Sequence, residues 1–188
     1  MEKITPFLWF DNQAEEAAKY YCSIFKRSKI RSVSRFDNAG PDGKQKVTTV
    51  SFELEGQAFV GLNGGPHYHF TPAVSFYVDC KDQKEVDVLW EKLSKGGQTQ
   101  PCGWLTDRYG VSWQIIPSGL MDLMKDPNGM AAMLKMSKLD IEAVKAAVRA
   151  GKSGAPEKRK GLPKRAAAAK AAPIELAPKK ATSKKPRK

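Results

Sequence analysis

The sequence contains few of the residues on which many folds and functional sites depend. Its 188 residues include three cysteines and two histidines. Cys22, Cys80 and Cys102 are far apart and odd in number, which argues against a disulfide framework and favours a reducing compartment. No segment approaches the roughly 18 apolar residues of a membrane-spanning helix, and the N-terminus has no signal-peptide pattern. We therefore expect a cytoplasmic protein with no membrane partner.

Positive charge is concentrated at one end of the chain. Residues 152–188 contain 13 Lys and Arg against 2 acidic residues, whereas residues 1–151 contain 19 basic and 18 acidic residues. This basic tail (152–188) has five prolines and no aromatic residue, so it is predicted to be disordered. Clustered cations favour weak, non-specific binding of nucleic acid by counterion release. A tail that is merely solvated is equally compatible with the composition.

The order of the predicted elements repeats along residues 1–117. The first half predicts a strand, a helix capped by Asp11 or Asn12, and three further strands, at 4–10, 14–25, 29–37, 46–54 and 57–62. The second half predicts the same order at 73–78, 82–94, 98–101, 103–107 and 111–116. The repeat indicates an α+β fold of two βαβββ modules, about 1–65 and 72–117. A Met-rich apolar stripe then predicts a C-terminal helix over about 127–150, which completes a domain of residues 1–151.

Several motifs resemble those of a known family. They are Asn63-Gly64-Gly65-Pro66, the helical segment 86–93, Cys102-Gly103-Trp104, and the segment 107–117 with Tyr109-Gly110-Val111-Ser112-Trp113-Gln114. Over about 1–150 the chain resembles the PhnB-like proteins, often labelled 3-demethylubiquinone-9 3-methyltransferase domain proteins. These belong to the glyoxalase/bleomycin-resistance/dioxygenase group, the vicinal oxygen chelate (VOC) superfamily. The resemblance implies an open barrel built from two modules, a homodimer, and a ligand in the cleft between two sheets.

The resemblance also implies where a metal would bind in metal-dependent relatives. Their ligands, usually His or Glu, come from the first and last strands of each module. Here the position four residues after Gly110 is Gln114, and its equivalent after Gly56 is Val60. A neutral amide without charged companions binds a divalent cation poorly. His67 and His69 form a pair without an evident third ligand, so we expect no catalytic metal and no cofactor.

Strand alternation predicts which side chains face the cleft. If Gln114 points inward, Ser112 and Ile116 do too, while Val111, Trp113 and Ile115 face the helices. By the repeat, the other side chains predicted to face inward are Thr5, Phe7, Trp9, Ala58, Val60, Leu62, Ser75 and Tyr77. This lining is mostly apolar and aromatic, with a few polar anchors, and suits a planar or apolar small molecule. The same side chains would equally fill a closed core.

Three classes of function remain open at this point. The first is a protein that binds a small, unidentified molecule without chemistry. The second is a metal-independent enzyme, such as a methyltransferase, isomerase or lyase. The first strand ends Trp9-Phe10-Asp11-Asn12 without the glycine-rich turn of a common nucleotide-binding fold. The third is a protein tethered to nucleic acid by its basic tail. The predicted cleft lacks charged groups, which favours binding over catalysis.

Overall fold

The computed structural model describes residues 3–36 and 47–153. Within these ranges the elements are, in chain order, β1 (Phe7–Phe10), α1 (Ala14–Ile24), β2 (Lys29–Phe36), β3 (Val47–Leu54), β4 (Gln57–Asn63), β5 (Phe76–Cys80), α2 (Gln83–Ser94), β6 (Gln98–Thr99), β7 (Trp104–Thr106), β8 (Ser112–Pro117), α3 (Leu120–Leu123), α4 (Pro127–Met133) and α5 (Ile141–Ser153). No helix in the described part is both long and apolar enough to cross a bilayer. The predicted disorder of residues 154–188 falls outside the described residues.

The strands form two four-stranded sheets, one from each half of the sequence. Sheet A has the order β1-β4-β3-β2, and sheet B has the order β5-β8-β7-β6. In each sheet the first strand of the module runs parallel to the last, and the remaining neighbours are antiparallel. The predicted α+β fold of two βαβββ modules is therefore confirmed.

Helix α1 covers one face of sheet A because its small and aromatic residues recur at helical spacing. Ala14, Ala17, Ala18 and Tyr21 are all fully buried. The predicted caps, Asp11 and Asn12, do not bond the helix. Instead the side chain of Asn63, at the end of β4, accepts a 2.7 Å hydrogen bond from the Ala14 amide. The start of α1 is thus fixed by a residue about fifty positions away, which local sequence could not reveal.

The two modules share one hydrophobic core on the helix-covered sides of their sheets. The ring of Tyr21 contacts Phe52 of sheet A and Trp113 of sheet B, with the latter centroids 5.4 Å apart. Phe59 and Phe76 join the two sheets directly, edge to face at 5.2 Å. Val111, Trp113 and Ile115 are buried on this side, so their predicted orientation toward the helices is confirmed.

The C-terminal helical segment differs from the single helix expected over 127–150. That range is divided into α4 and α5, the short helix α3 precedes it, and the connection between α4 and α5 bonds to another part of the chain. The carbonyls of Met136 and Ser137 accept hydrogen bonds of 2.7 and 2.8 Å from the amides of Cys102 and Gly103. Asp140 then caps α5 by accepting from two amides. Because these helices bury Ile116, which had been expected to face the cleft, that residue belongs to a second core cluster.

Candidate ligand-binding site

A group of uncharged polar side chains gathers on the face of sheet B that is opposite the shared core. We call it the amide–hydroxyl cluster, and it consists of Ser75, Gln100, Thr106, Ser112 and Gln114. The Gln114 amide donates a 2.8 Å hydrogen bond to Ser75, and the Gln100 amide donates one of 3.0 Å to Thr106. Thr106 is the register partner of Ser112 across β7 and β8. Amides and hydroxyls of this kind orient a ligand by hydrogen bonds without adding charge.

Ser112 is the member of the cluster whose hydrogen bonding is incomplete. Its side chain is almost fully buried, and its Oγ has no hydrogen-bond partner. Among the residues that the structure describes, it is the one buried side-chain polar atom in this condition. A buried hydroxyl left unpaired costs about 1–3 kcal/mol, so proteins rarely keep one without a reason. The position is one where a ligand's polar group would recover that cost.

An aromatic cavity adjoins the cluster at the edge strand β5. Its volume is about 460 Å³, within the range of small-molecule sites. We call it the aromatic cavity; its lining residues are Pro6, Phe25, Leu54, Glu55, Gln57, Phe59, Ser75, Phe76, Tyr77, Val78, Asp79 and Trp113. Ser75 belongs to both features, because it lines the cavity and accepts the Gln114 hydrogen bond. Ser75 is the one member of the cluster that lines the cavity, and Ser112 and Gln114 do not line it.

The predicted apolar residues of the first module lie on the open face of sheet A. Phe7 pairs with Val60, and Trp9 pairs with Leu62, in the parallel register of β1 and β4. Phe7 is 59% exposed, so the described residues leave this part of the face uncovered. Trp9 is partly sheltered, since its indole donates to the Gly65 carbonyl at 2.9 Å and its ring packs against Tyr68. Thr5 lies two residues before β1 and is half-buried.

The structure thus collects the predicted site residues into two groups. Ser75, Tyr77, Ser112 and Gln114 lie together on sheet B. Phe7, Trp9, Val60 and Leu62 lie together on sheet A. The ring contacts that join the modules involve the opposite, helix-facing sides of both sheets. That the two groups face one common cleft stays a prediction.

Several residues of the site were missed by the sequence analysis. Gln100 follows β6, and Trp104 and Thr106 lie in β7; both strands are too short to show a clear alternation. The signal available was Trp104-Leu105-Thr106, in which Leu105 is fully buried and its neighbours therefore face the other side. Phe59 and Phe76 were missed because they belong to the helix-facing side of their strands. They reach the cavity where the edges of the two modules meet.

Asp107 is a buried carboxylate that serves the structure. It accepts hydrogen bonds from the Tyr21 hydroxyl at 2.7 Å, the Trp113 indole at 2.8 Å, and the amides of Tyr109 and Val111. Burial raises the pKa of Asp107, while these four donors oppose the rise. With its acceptor sites occupied, the carboxylate fixes the turn before β8. The segment 107–113 therefore positions the strand that carries Ser112 and Gln114.

The residues at the family's metal positions do not fit a divalent cation. Gln114 is already bonded to Ser75, and Val60 has no donor atom. In residues 3–36 and 47–153, no three His, Cys, Asp or Glu side chains group to hold a metal ion. His67 and His69 are both exposed in the connection between the modules. The donor set therefore supplies neither the charge nor the imidazoles that such a centre needs.

The cysteines offer no activated nucleophile. Burial raises the pKa of Cys80 to about 12, and burial also raises the pKa of Cys22. A thiol is nucleophilic as its thiolate, so both groups are unreactive near neutral pH. Cys102 occupies a left-handed turn with φ of 63° and helps to join that turn to the α4–α5 connection. Its position gives it a structural role.

Two βαβββ modules that pack on a shared core define the VOC superfamily. Within this class, the model of the family described as 3-demethylubiquinone-9 3-methyltransferase matches residues 2–116. The chain therefore belongs to this family of PhnB-like proteins.

One solved structure supports this assignment. The PhnB protein from Bacillus cereus, whose description names it a candidate 3-demethylubiquinone-9 3-methyltransferase, is 39% identical, with 62% of this chain and 100% of that chain covered and a TM-score of 0.57. A protein from Pseudomonas aeruginosa shares the fold at 21% identity, with 62% and 98% covered and a TM-score of 0.53. The fosfomycin resistance protein FosX from Listeria monocytogenes is more distant, at 15% identity, 66% and 98% covered, and a TM-score of 0.45. No curated protein matches the chain.

Proposed function

We propose that this protein binds a small, largely apolar or aromatic molecule at the amide–hydroxyl cluster and the adjoining aromatic cavity, without a catalytic metal. One observation carries the proposal. The buried, unpartnered hydroxyl of Ser112 belongs to an uncharged hydrogen-bonding group that shares Ser75 with a cavity of about 460 Å³. A cavity with apolar walls and a few convergent polar groups is the usual form of a small-molecule site.

In the proposed site, aromatic residues provide the apolar contact surface and polar residues provide the hydrogen-bonding groups. Tyr77 and Trp104 are the register partners on either side of Gln114, so two aromatic rings flank the amide. Planar ligands pack well on such rings, and aromatic contacts add about 0.5–1.5 kcal/mol beyond area burial. Ser75, Ser112 and Gln114 provide hydroxyl and amide groups for one polar end of the ligand.

A homodimer forms part of the proposal. The open face of sheet A exposes Phe7 beside Val60, and Trp9 beside Leu62, with no cover from the described helices of the same chain. Apolar sheet faces are stabilised by burial at about 25 cal/mol per Å². A second copy of the chain is the partner that the family resemblance implies. The dimer would bury this face and enclose the ligand.

The test is a titration of the ¹⁵N-labelled full chain with 2-naphthalenemethanol, a neutral planar probe with one hydroxyl. We expect shifts of the Trp104 indole N–H and of the Ser75 and Gln114 amides. Tyr77→Ala should weaken binding severalfold, whereas Phe36→Ala should not. These two aromatic residues are matched in exposure, at 52% and 50%, but Phe36 lies on the edge strand β2 of the other sheet. Shifts confined to sheet A, or none, would contradict the proposed site.

A second candidate function concerns the basic tail, most of which lies outside the described residues. Its 13 cations in 37 residues favour weak nucleic-acid binding, independent of the cavity. If about half of them engage phosphates, log affinity for duplex DNA should fall with log salt at a slope of about −5 to −6. A salt titration of the full chain and of residues 1–151 on an unrelated duplex tests this. Equal binding by both, or a slope near zero, would contradict it.

A further inference from the structure

The charged side chains of the aromatic cavity are all acidic. They are Glu55 and Asp79. Glu55 is neutralised by Arg27, whose guanidinium lies 3.1 Å from its carboxylate. The Asp79 side chain forms no ion pair or hydrogen bond with any described residue, and it is exposed at the cavity rim. The cavity therefore presents one unneutralised negative charge to an incoming molecule.

The walls of the cavity reinforce this preference. Phe59, Phe76 and Trp113 form a chain of ring contacts, with centroids 5.2 and 5.3 Å apart, and Tyr77 stands at the rim. The faces of aromatic rings attract cations, most strongly where water is excluded. Tyr77 shares the strand face of Asp79, whereas Phe76 and Trp113 face the core, so the Asp79 carboxylate and the Tyr77 ring are the two groups that favour positive charge. A negatively charged ligand would meet repulsion from Asp79 and gain nothing from the rings.

A second cavity nearby shares Phe25, Glu55, Val78 and Asp79 with the aromatic cavity. It has a volume of about 590 Å³ and lies between the ends of α1 and β3 and the helix α2. Its charged residues are balanced in sign: Lys26, Arg27, Lys81 and Lys84 against Glu55, Asp79, Asp82 and Glu85. Asp79 therefore lies at the boundary of the two cavities. None of these four cations forms an ion pair with its carboxylate.

We infer that the ligand of the aromatic cavity is an organic monocation with a planar apolar body, its positive group beside Asp79 and its uncharged end toward Ser75 and Gln114. This inference rests on the proposed function and narrows the class of ligand. It also assigns Asp79 as the residue that determines charge specificity. Tyr77, two residues earlier on the same strand face, packs against the body of the same molecule.

Three probes with one naphthalene body test the inference on the full chain. They are 2-naphthylmethylammonium, 2-naphthalenemethanol and 2-naphthoate, followed by the ¹⁵N shifts of Tyr77, Ser75 and the Trp104 indole. At low salt the ammonium probe should bind about three- to tenfold more tightly than the alcohol, and the carboxylate more weakly. The advantage of the ammonium probe should shrink in about 0.5 M salt, because screening weakens an exposed charge pair.

The variant Asp79→Asn should abolish the advantage of the ammonium probe over the alcohol. Asp122→Asn removes one negative charge from an exposed residue of α3 outside the cavity, and should leave that advantage as it is in the wild type. Equal affinity for the ammonium and the alcohol, or tightest binding of 2-naphthoate, would overturn the inference while leaving the proposed function standing. If no probe shifts these residues, the proposed function and the inference both fail.

Discussion

The hydroxyl of Tyr21 donates a 2.7 Å hydrogen bond to the buried carboxylate of Asp107, and this bond ties the helix of the first module to the last hairpin of the second. Trp113 donates to the same oxygen at 2.8 Å. The Asp107 carboxylate therefore links the two modules and also fixes the start of β8 by hydrogen bonds. Because β8 carries Ser112 and Gln114, the geometry of the candidate site depends on a residue that faces the opposite side of the sheet.

Asp107→Asn should destabilise the fold by about 1–3 kcal/mol, because the amide places a donor where four donors converge. Tyr21→Phe removes only one of those donors and should cost about 0.5–1.5 kcal/mol. Urea unfolding measures both changes. As a control, Asp122→Asn at an exposed ion pair should alter stability by less than about 0.5 kcal/mol. Equal effects of Asp107→Asn and Asp122→Asn would contradict the role assigned to Asp107.

The stability difference between the wild type and Asp107→Asn is also expected to depend on pH. Burial raises the folded-state pKa of Asp107, so the folded state holds the proton more tightly than the unfolded state. The contribution of Asp107 to stability is fully present below its pKa in the unfolded state. It is lost as the pH rises through its pKa in the folded state. The advantage of the wild type over Asp107→Asn should therefore be larger near pH 3.5 than near pH 7. The opposite trend would show that the four hydrogen bonds outweigh desolvation.

Gly64→Ala should disturb the open face of sheet A. A Cβ at this position would overlap the ring of Trp9, whose indole donates to the next carbonyl, that of Gly65. We expect the NMR signal of the Trp9 indole N–H to shift and the free energy of unfolding to fall by about 1–3 kcal/mol. Gly56→Ala is the matched control, since nothing lies within 4 Å of its added Cβ and only its φ of 92° opposes the change. The Gly56→Ala variant should lower the free energy of unfolding by about 1 kcal/mol and leave the Trp9 indole signal unshifted.

Purified protein should carry no stoichiometric zinc, nickel, iron or manganese. The reason is the donor set, in which Gln114 and Val60 stand at the positions of metal ligands in metal-dependent relatives. Elemental analysis of the purified full chain checks this expectation. About one metal per chain, lost in Gln114→Ala, would refute it.

The proposed homodimer predicts an effect of charge on the open face of sheet A. Phe7→Glu should convert a dimer to a monomer, because burying a carboxylate without a partner is strongly unfavourable. Analytical ultracentrifugation measures the mass. Val88→Glu, at a residue of α2 that is 41% exposed, is the control and should remain dimeric. A wild-type chain that is monomeric throughout the concentration range would exclude this part of the proposal.

The elements were predictable from sequence because their signals are local. The repeated order of strands and helices gave the two modules, and alternation around Gln114 placed Ser112 with it and Trp113 on the other side. The features that were missed depend on distant residues. The connection between α4 and α5 is bonded through Met136 to Cys102, and the first module is bonded through Tyr21 to Asp107 of the second. Single-sequence patterns carry no signal for either pairing.

Ser112→Ala tests the account's central claim most directly, because it separates binding from stability. Replacing an unpartnered buried hydroxyl by a methyl group should leave the free energy of unfolding unchanged or raise it by about 1 kcal/mol. The affinity for 2-naphthalenemethanol should fall severalfold in the same protein, whereas Ser34→Ala on the exposed strand β2 should alter neither. A variant that loses stability and binds the probe as tightly as the wild type would contradict the claim that Ser112 belongs to a ligand site.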